Sequence, residues 1–332
     1  MTTLLIKGIP YTIIDTKEKI TIADSFVVPA NKLGNGNGAE ELFLGSKKDA
    51  ELIKFLGGLH FNIKCFLLKT DLENYLNDTK VEYLNPEQPY RDKENFPMLW
   101  EQRIKKIEGL NDINYFTLEE HDGRKETDTR LYAKKPQGEE LKIYKLLREL
   151  SLPNITYVSS IKLLAPNKEV VFYFKLFVDY FGETQHPTIV RNEEEKIAIE
   201  TISDDRKKQI NYARIGQGKY RKALLDECPI CAITLVSDDR LLIASHIKPW
   251  VDSEEIEKTD PKNGFMFTPT YDFLFDRGFI SFTNDKKMKV SPWLSKMTCS
   301  KLNISDDKKY IMLPVEGREH YLEYHRKNIF KS

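Results

Sequence analysis

No run of about 18 apolar residues occurs anywhere in the 332-residue sequence, so a helix that spans a membrane is not expected. The opening MTTLLIKGIPYTIID has neither a basic start nor a small-residue cleavage motif, and no signal peptide is expected there. Only four cysteines are present (Cys65, Cys228, Cys231, Cys299), too few for a disulfide scaffold and in keeping with a reducing cytoplasm. Charge of one sign is missing too. Fifty-one basic and 51 acidic residues cancel, which argues against a protein that coats nucleic acid by charge alone. The glycine-rich stretch KLGNGNGAEELFLG (32–45) lacks the Gly-Lys-Ser/Thr ending of a phosphate loop and reads as a surface loop.

What is present describes a globular protein. A hydrophobic fraction of 40% and an aromatic fraction of 11% are enough for a sizeable core, and the length suits two domains. The first 135 residues read as strands, such as YTIID and FNIKCFLL, alternating with turns. The spacing of GEELKIYKLLRELSL predicts a helix, and NITYVSSIKLL and EVVFYFKLFVDYF predict two strands joined by a turn. The segment HDGRKETDTRLYAKK (121–135) offers Arg124, Lys125, Arg130, Lys134 and Lys135 as a basic patch, or simply a solvated loop. A charged stretch over 191–209 marks a domain boundary. Residues 205–332 carry about +5 and the first 204 about −5.

Beyond that boundary the text becomes specific. CPICAITL and RLLIASHI read as paired strands joined by VSDD, and an acidic loop containing Asn263 follows. FTPTYDFLFDRG reads as a short helix that starts at Thr268 or Thr270, tolerates Pro269 in its first turn and stops at Gly278. On that helix Asp272 and Asp276 stand at i and i+4, so both carboxylates share a face. Such a like-charge pair costs about 0.2–0.5 kcal/mol on an exposed helix, and a divalent cation between them would reverse the sign. A solvated acidic edge, with Phe273, Leu274 and Phe275 facing a core, is the plainer reading of the same spacing.

The ordered motifs GQGKYRKALL, CAIT, ASHIKPW, NGFMF, YDFLFDRGFISF and YLEYHRKNIF, over about 211–330, resemble the HNH (ββα-metal) endonucleases, many of which are restriction enzymes. The resemblance implies an α+β protein. An HNH nuclease domain over 205–332 would follow a mixed α/β recognition or sensing region over 1–200, with a further break near 135. It implies that His246 is the general base and that Asn263 fixes the histidine loop. Asp272 and Asp276 would hold one Mg²⁺ or Mn²⁺, since oxygen-only donors suit hard cations. Ser245 would support them from behind, and Lys248, Arg277 and Arg214 would contact phosphates.

Three departures from the family pattern stand out. Ser245 takes the place of a metal ligand before the base, Tyr271 replaces the usual histidine of the helix, and only one Cys-x-x-Cys pair is present. A structural zinc, which takes four ligands, is therefore not expected at Cys228 and Cys231. His325 reads as a structural histidine of the terminal helix. The implied partner is double-stranded DNA, cut by a cytoplasmic homodimer that makes no use of a membrane. The rival readings are a DNA-binding protein on a disabled HNH scaffold, and an HNH effector of another antiphage system.

Overall fold

A computed structural model of the chain describes residues 3–21, 40–86, 95–121, 129–152, 155–178 and 220–332. The glycines 34, 36 and 38, the charged stretch 191–209, Arg124, Lys125 and Arg214 lie outside the described residues. The chain divides into two units, Met1–Phe181 and Gly182–Ser332.

Among the described residues of the first unit eight strands form one sheet: β1 (Thr3–Ile6), β2 (Ile9–Thr21), β3 (Leu42–Ser46), β4 (Asn62–Leu68), β5 (Ile113–Glu120), β6 (Arg130–Lys134), β7 (Thr156–Leu164) and β8 (Val170–Val178). Their order is β1-β2-β7-β8-β4-β5-β6-β3, antiparallel throughout except between β4 and β8. Among the described residues five helices accompany them: α1 (Ala50–Leu56), α2 (Lys69–Asp78), α3 (Lys80–Leu84), α4 (Phe96–Glu108) and α5 (Glu140–Leu150).

The alternation of β4 explains how helices and sheet share a core. Ile63, Cys65 and Leu67 face the cluster that contains Leu72, Tyr75 and Leu76 of α2, and Tyr144, Leu147 and Leu150 of α5. The 13-residue β2 carries two register shifts, at Ile13/Asp15 and Lys17/Ile20. Bulges of this kind bend a strand, and Tyr11 reaches the ring of Phe66 on β4 at 6.3 Å although β7 and β8 intervene in the sheet.

The helix predicted near 140–150 and the two strands that follow it are found as α5, β7 and β8. Reading the first 135 residues as strands and turns missed α1 to α4. Leu72, Tyr75 and Leu76 stand at i, i+3 and i+4, a helical spacing that short polar-rich segments partly conceal. The described members of the 121–135 basic patch are engaged. Lys134 pairs with Glu119 at 2.7 Å, Lys135 with Glu40 at 2.7 Å, and Arg130 lies over Tyr132.

In the second unit residues 220–227 are helical (α6). They are followed by β9 (Ile243–His246), β10 (Gly264–Phe267), α7 (Pro269–Asp276), β11 (Ile280–Phe282), β12 (Met288–Val290), α8 (Lys296–Lys301) and α9 (Glu319–Asn328). The expected pairing of CPICAITL with RLLIASHI is corrected here. Residues 231–236 close on themselves, with Leu235 N–H donating to Cys231 C=O at 2.8 Å and Cys231 N–H to Val236 C=O at 2.9 Å. Leu235 turns the chain at φ 60°, and Pro229 brings no N–H to a ladder. β9 therefore pairs with β10, His246 opposite Gly264 and Ile243 opposite Phe267, and the loop 247–263 joins them. Among the described residues no helix is long and apolar enough to cross a membrane.

Candidate active site

His246 is the last residue of β9, and three neighbours fix its ring. Tyr220 of α6 stacks on one face at 4.1 Å and 16°, Trp250 meets it edge-on at 5.6 Å, and Nε2 lies 3.1 Å from the carbonyl oxygen of Lys258. A carbonyl only accepts, so Nε2 carries the proton and Nδ1 keeps the lone pair. Burial holds the imidazole below its usual pKa of 6.5, against the opposing pull of Asp276, so the ring is neutral at pH 7.

Asn263 is the most connected side chain that ties the loop 247–263. Asn263, fully buried, accepts Lys248 N–H at 2.8 Å. Its Nδ2 lies 3.2 Å from each of Lys248 C=O, Ser253 Oγ and Glu257 C=O, so that two hydrogens serve three acceptors and one is shared. Two amide hydrogens and two lone pairs make Asn suited to such a knot. Arg318, with no exposed surface, clamps the start of β10: Nε donates to Gly264 C=O at 3.0 Å and Nη2 to Pro261 C=O at 3.2 Å, while Nη1 pairs with Glu227.

Gly264 is required by space, since its φ of −166° suits any residue. A Cβ there would stand 1.9 Å from Tyr220 Oη and 3.0 Å from Ser245 O. Gly264→Ala is expected to destabilise the second unit by about 1–3 kcal/mol, as overpacking does. A fall in the thermal midpoint checks this, and an unchanged midpoint would show that Tyr220 can give way.

The helix α7 begins after Thr268 with Pro269 in its first turn and ends at Asp276, just before Gly278 (φ +69°), the stop that the sequence predicts. Leu274 and Phe275 are buried, and Phe275 packs with Phe265, Phe267 and Phe282. The opposite side carries the carboxylates. Asp272 accepts a hydrogen bond from the Ser245 hydroxyl, and its own pKa is pushed up to about 6, first by burial and then by Asp276. Asp276 is raised by desolvation as well, although it keeps an exposed edge, and it feels both Arg277 and His246. Two carboxylates that resist ionisation side by side, next to a neutral imidazole, are short of a positive charge. Among the described residues no three His, Cys, Asp or Glu side chains converge on one metal position. Asp272 and Asp276 offer two carboxylate groups, a pair that would suit a hard cation able to fill its shell with water and phosphate oxygens.

His325 sits behind this helix. Stacked on Phe275 at 3.9 Å, it donates from Nε2 to Phe275 C=O at 3.0 Å and accepts Ser281 Oγ–H at Nδ1, 2.9 Å away. Its pKa is pushed down to about 4 by burial, so it is a neutral structural group that satisfies a carbonyl at the end of α7.

The structure therefore brings together His246, Ser245, Asn263, Asp272 and Asp276. Lys248 is nearby but paired with Glu257 at 2.6 Å, and Arg277 lies over the Phe273 ring. Tyr271 donates to Leu302 C=O at 2.8 Å. Cys228 and Cys231 are buried free thiols and Cys299 is half-buried. Sequence reasoning missed Tyr220 and Arg318. Tyr220 lay inside a quoted motif, GQGKYRKALL, whereas a fully buried arginine leaves no periodic signal.

Residues 228–283 match the family model described as HNH endonuclease. No curated protein matches the chain. The matched segment runs from the Cys228 turn through β9, the Asn263 knot and the carboxylate helix to the end of β11. This part of the chain is an HNH endonuclease domain.

Proposed function

We propose that the protein is a metal-dependent DNA endonuclease, of the type II or modification-dependent restriction kind, in which His246 activates water. The observation that carries the reading is the His246 ring itself: its proton is committed to Lys258 C=O through Nε2, and the imidazole feels the charge of Asp276, which in turn acts on Asp272. Nδ1 takes the proton of the attacking water. Asn263 holds the loop that supplies the Lys258 carbonyl and so positions the base. Asp272 and Asp276 hold one Mg²⁺ or Mn²⁺, and Ser245 orients Asp272 by hydrogen bond. A divalent cation bound there supplies Lewis acidity toward the departing 3′ oxygen. Lys248 and Arg277 contact phosphates, Lys248 exchanging Glu257 for the DNA backbone, and Arg214 is assigned the same role.

The test is a supercoiled plasmid incubated with the full chain in Mg²⁺, in Mn²⁺ and in EDTA. Nicking or linearisation in the metals and none in EDTA is expected. Binding without cleavage in either metal would instead favour a DNA-binding protein on a disabled scaffold. Methylated, hydroxymethylated and unmodified plasmids identify the substrate class.

Target choice is assigned to residues 1–200 and cleavage to 205–332. A double-strand break needs two scissions and each domain offers one metal centre, so the active species is a homodimer on a two-fold site. Sequencing cut ends for the full chain and for a 205–332 fragment is expected to show defined sites for the first. The fragment is expected to cut weakly and indiscriminately or not at all. A fragment that keeps the parent's sites would place recognition in the second unit.

A further inference from the structure

We infer that Tyr220 is a positioning residue for the cleavage reaction: its ring sets the plane of the His246 imidazole, so that Nδ1 faces the scissile phosphate. The inference rests on the nuclease reading above. A histidine at a strand end has two free torsions, and the single hydrogen bond from Nε2 to Lys258 C=O fixes one atom while leaving the ring to swing about it. A near-coplanar stack at 4.1 Å and 16° removes that swing, and Trp250, edge-on at 86°, closes the other side.

Tyr220 can do this because it is itself immobilised. It is 2% exposed, it packs in the core of the second unit, and its Oη donates to Asn263 C=O at 2.9 Å. That same carbonyl accepts the N–H of Ile247, the residue after His246, at 3.1 Å. One backbone oxygen thus ties together the chain beside the base and the ring that lies against it. The missing side chain of Gly264 leaves the room that Tyr220 Oη occupies. Core packing locates the ring, the hydroxyl adds a tether, and the ring orients the histidine. Displacements of about 1 Å at a reacting group can cost about 10²-fold in rate, so an untethered imidazole should be visible in kcat.

The test compares Tyr220→Phe and Tyr220→Leu in the full chain. Single-turnover rates are measured at saturating Mg²⁺ and plasmid, with DNA affinity, half-saturating Mg²⁺ and the NMR shifts of the His246 ring protons. Tyr220→Phe keeps the stack. It is expected within about 3-fold of wild type, with the upfield ring-current shift retained. Tyr220→Leu is expected to lose about 10- to 100-fold in kcat, with DNA affinity and Mg²⁺ demand unchanged and the ring protons moved downfield. A Leu variant at wild-type rate overturns the inference, and so does a Phe variant as slow as Leu, which would make the hydroxyl the acting group. If Leu does not fold, Tyr220→Met fills the volume without a ring and decides in its place. A wild-type protein that cleaves no DNA in any metal would sink the nuclease reading instead. The ring-proton shifts need no activity and would still report the stack.

Discussion

His246→Ala is expected to slow DNA cleavage by at least about 10²-fold, the lower end for removing general-base assistance. The fold should survive, because the ring is half-buried and β9 keeps its ladder to β10. Circular dichroism and the thermal midpoint establish that, and single-turnover cleavage gives the rate. The wild-type pH profile follows from the same ring. Its pKa lies below 6.5 in the folded protein because burial disfavours the charged imidazolium. At saturating metal the rate should therefore be level through neutral pH and fall as acidification protonates Nδ1. If His246→Ala cut at close to the wild-type rate, the base would have to be sought elsewhere.

The second large effect concerns the carboxylates. Asp272→Asn and Asp276→Asn are each expected to raise the half-saturating Mg²⁺ concentration by about 10- to 100-fold, a range known for weaker changes around bound metals. DNA affinity should change less. Asp272 also makes a prediction without metal. Its folded pKa of about 6 lies above the usual 3.8, so its contribution to stability is fully present below about 3.8 and is lost as pH rises through 6. At pH 7–8 the metal-free protein therefore carries a destabilising charge, and Asp272→Asn should raise its stability by roughly 1–3 kcal/mol. Thermal melts in EDTA at pH 4 and pH 8 read this directly: the gain is expected at pH 8 and should shrink at pH 4. An unchanged Mg²⁺ requirement in both variants would remove the metal assignment.

The two experiments separate the roles. His246→Ala should leave metal demand alone and lower the maximal rate, whereas the aspartate variants should be partly restored by more Mg²⁺. A site in which all three variants behaved alike would be one in which the carboxylates orient the histidine rather than hold a cation.

Much of this site was legible in the sequence, because its signals are local. Pro269 and Gly278 delimit α7 by their own backbone preferences, and the i, i+4 spacing of Asp272 and Asp276 places both on one helix face whatever the rest of the chain does. Amphipathic spacing likewise announced α5, and β-rich runs announced β7 and β8. Pairing was different. Nothing in CPICAITL reveals that residues 231–236 close on themselves, and the partner of β9 begins 18 residues beyond His246, across a loop. Strand pairing depends on which backbone groups the folded chain brings opposite one another, and that is settled only in three dimensions.

By itself the sequence determined which residues could do chemistry, and on which short elements they sit. The tertiary structure decided their chemical state. The lone pair of His246 rests on Nδ1 because a carbonyl 12 residues away accepts from Nε2. Asp272 resists ionisation because the fold buries it beside Asp276. His325 is silent because two buried partners consume both of its nitrogens. Protonation, tautomer and orientation depend on solvent exclusion and on hydrogen-bond partners drawn from distant segments, and these exist only once the chain has folded.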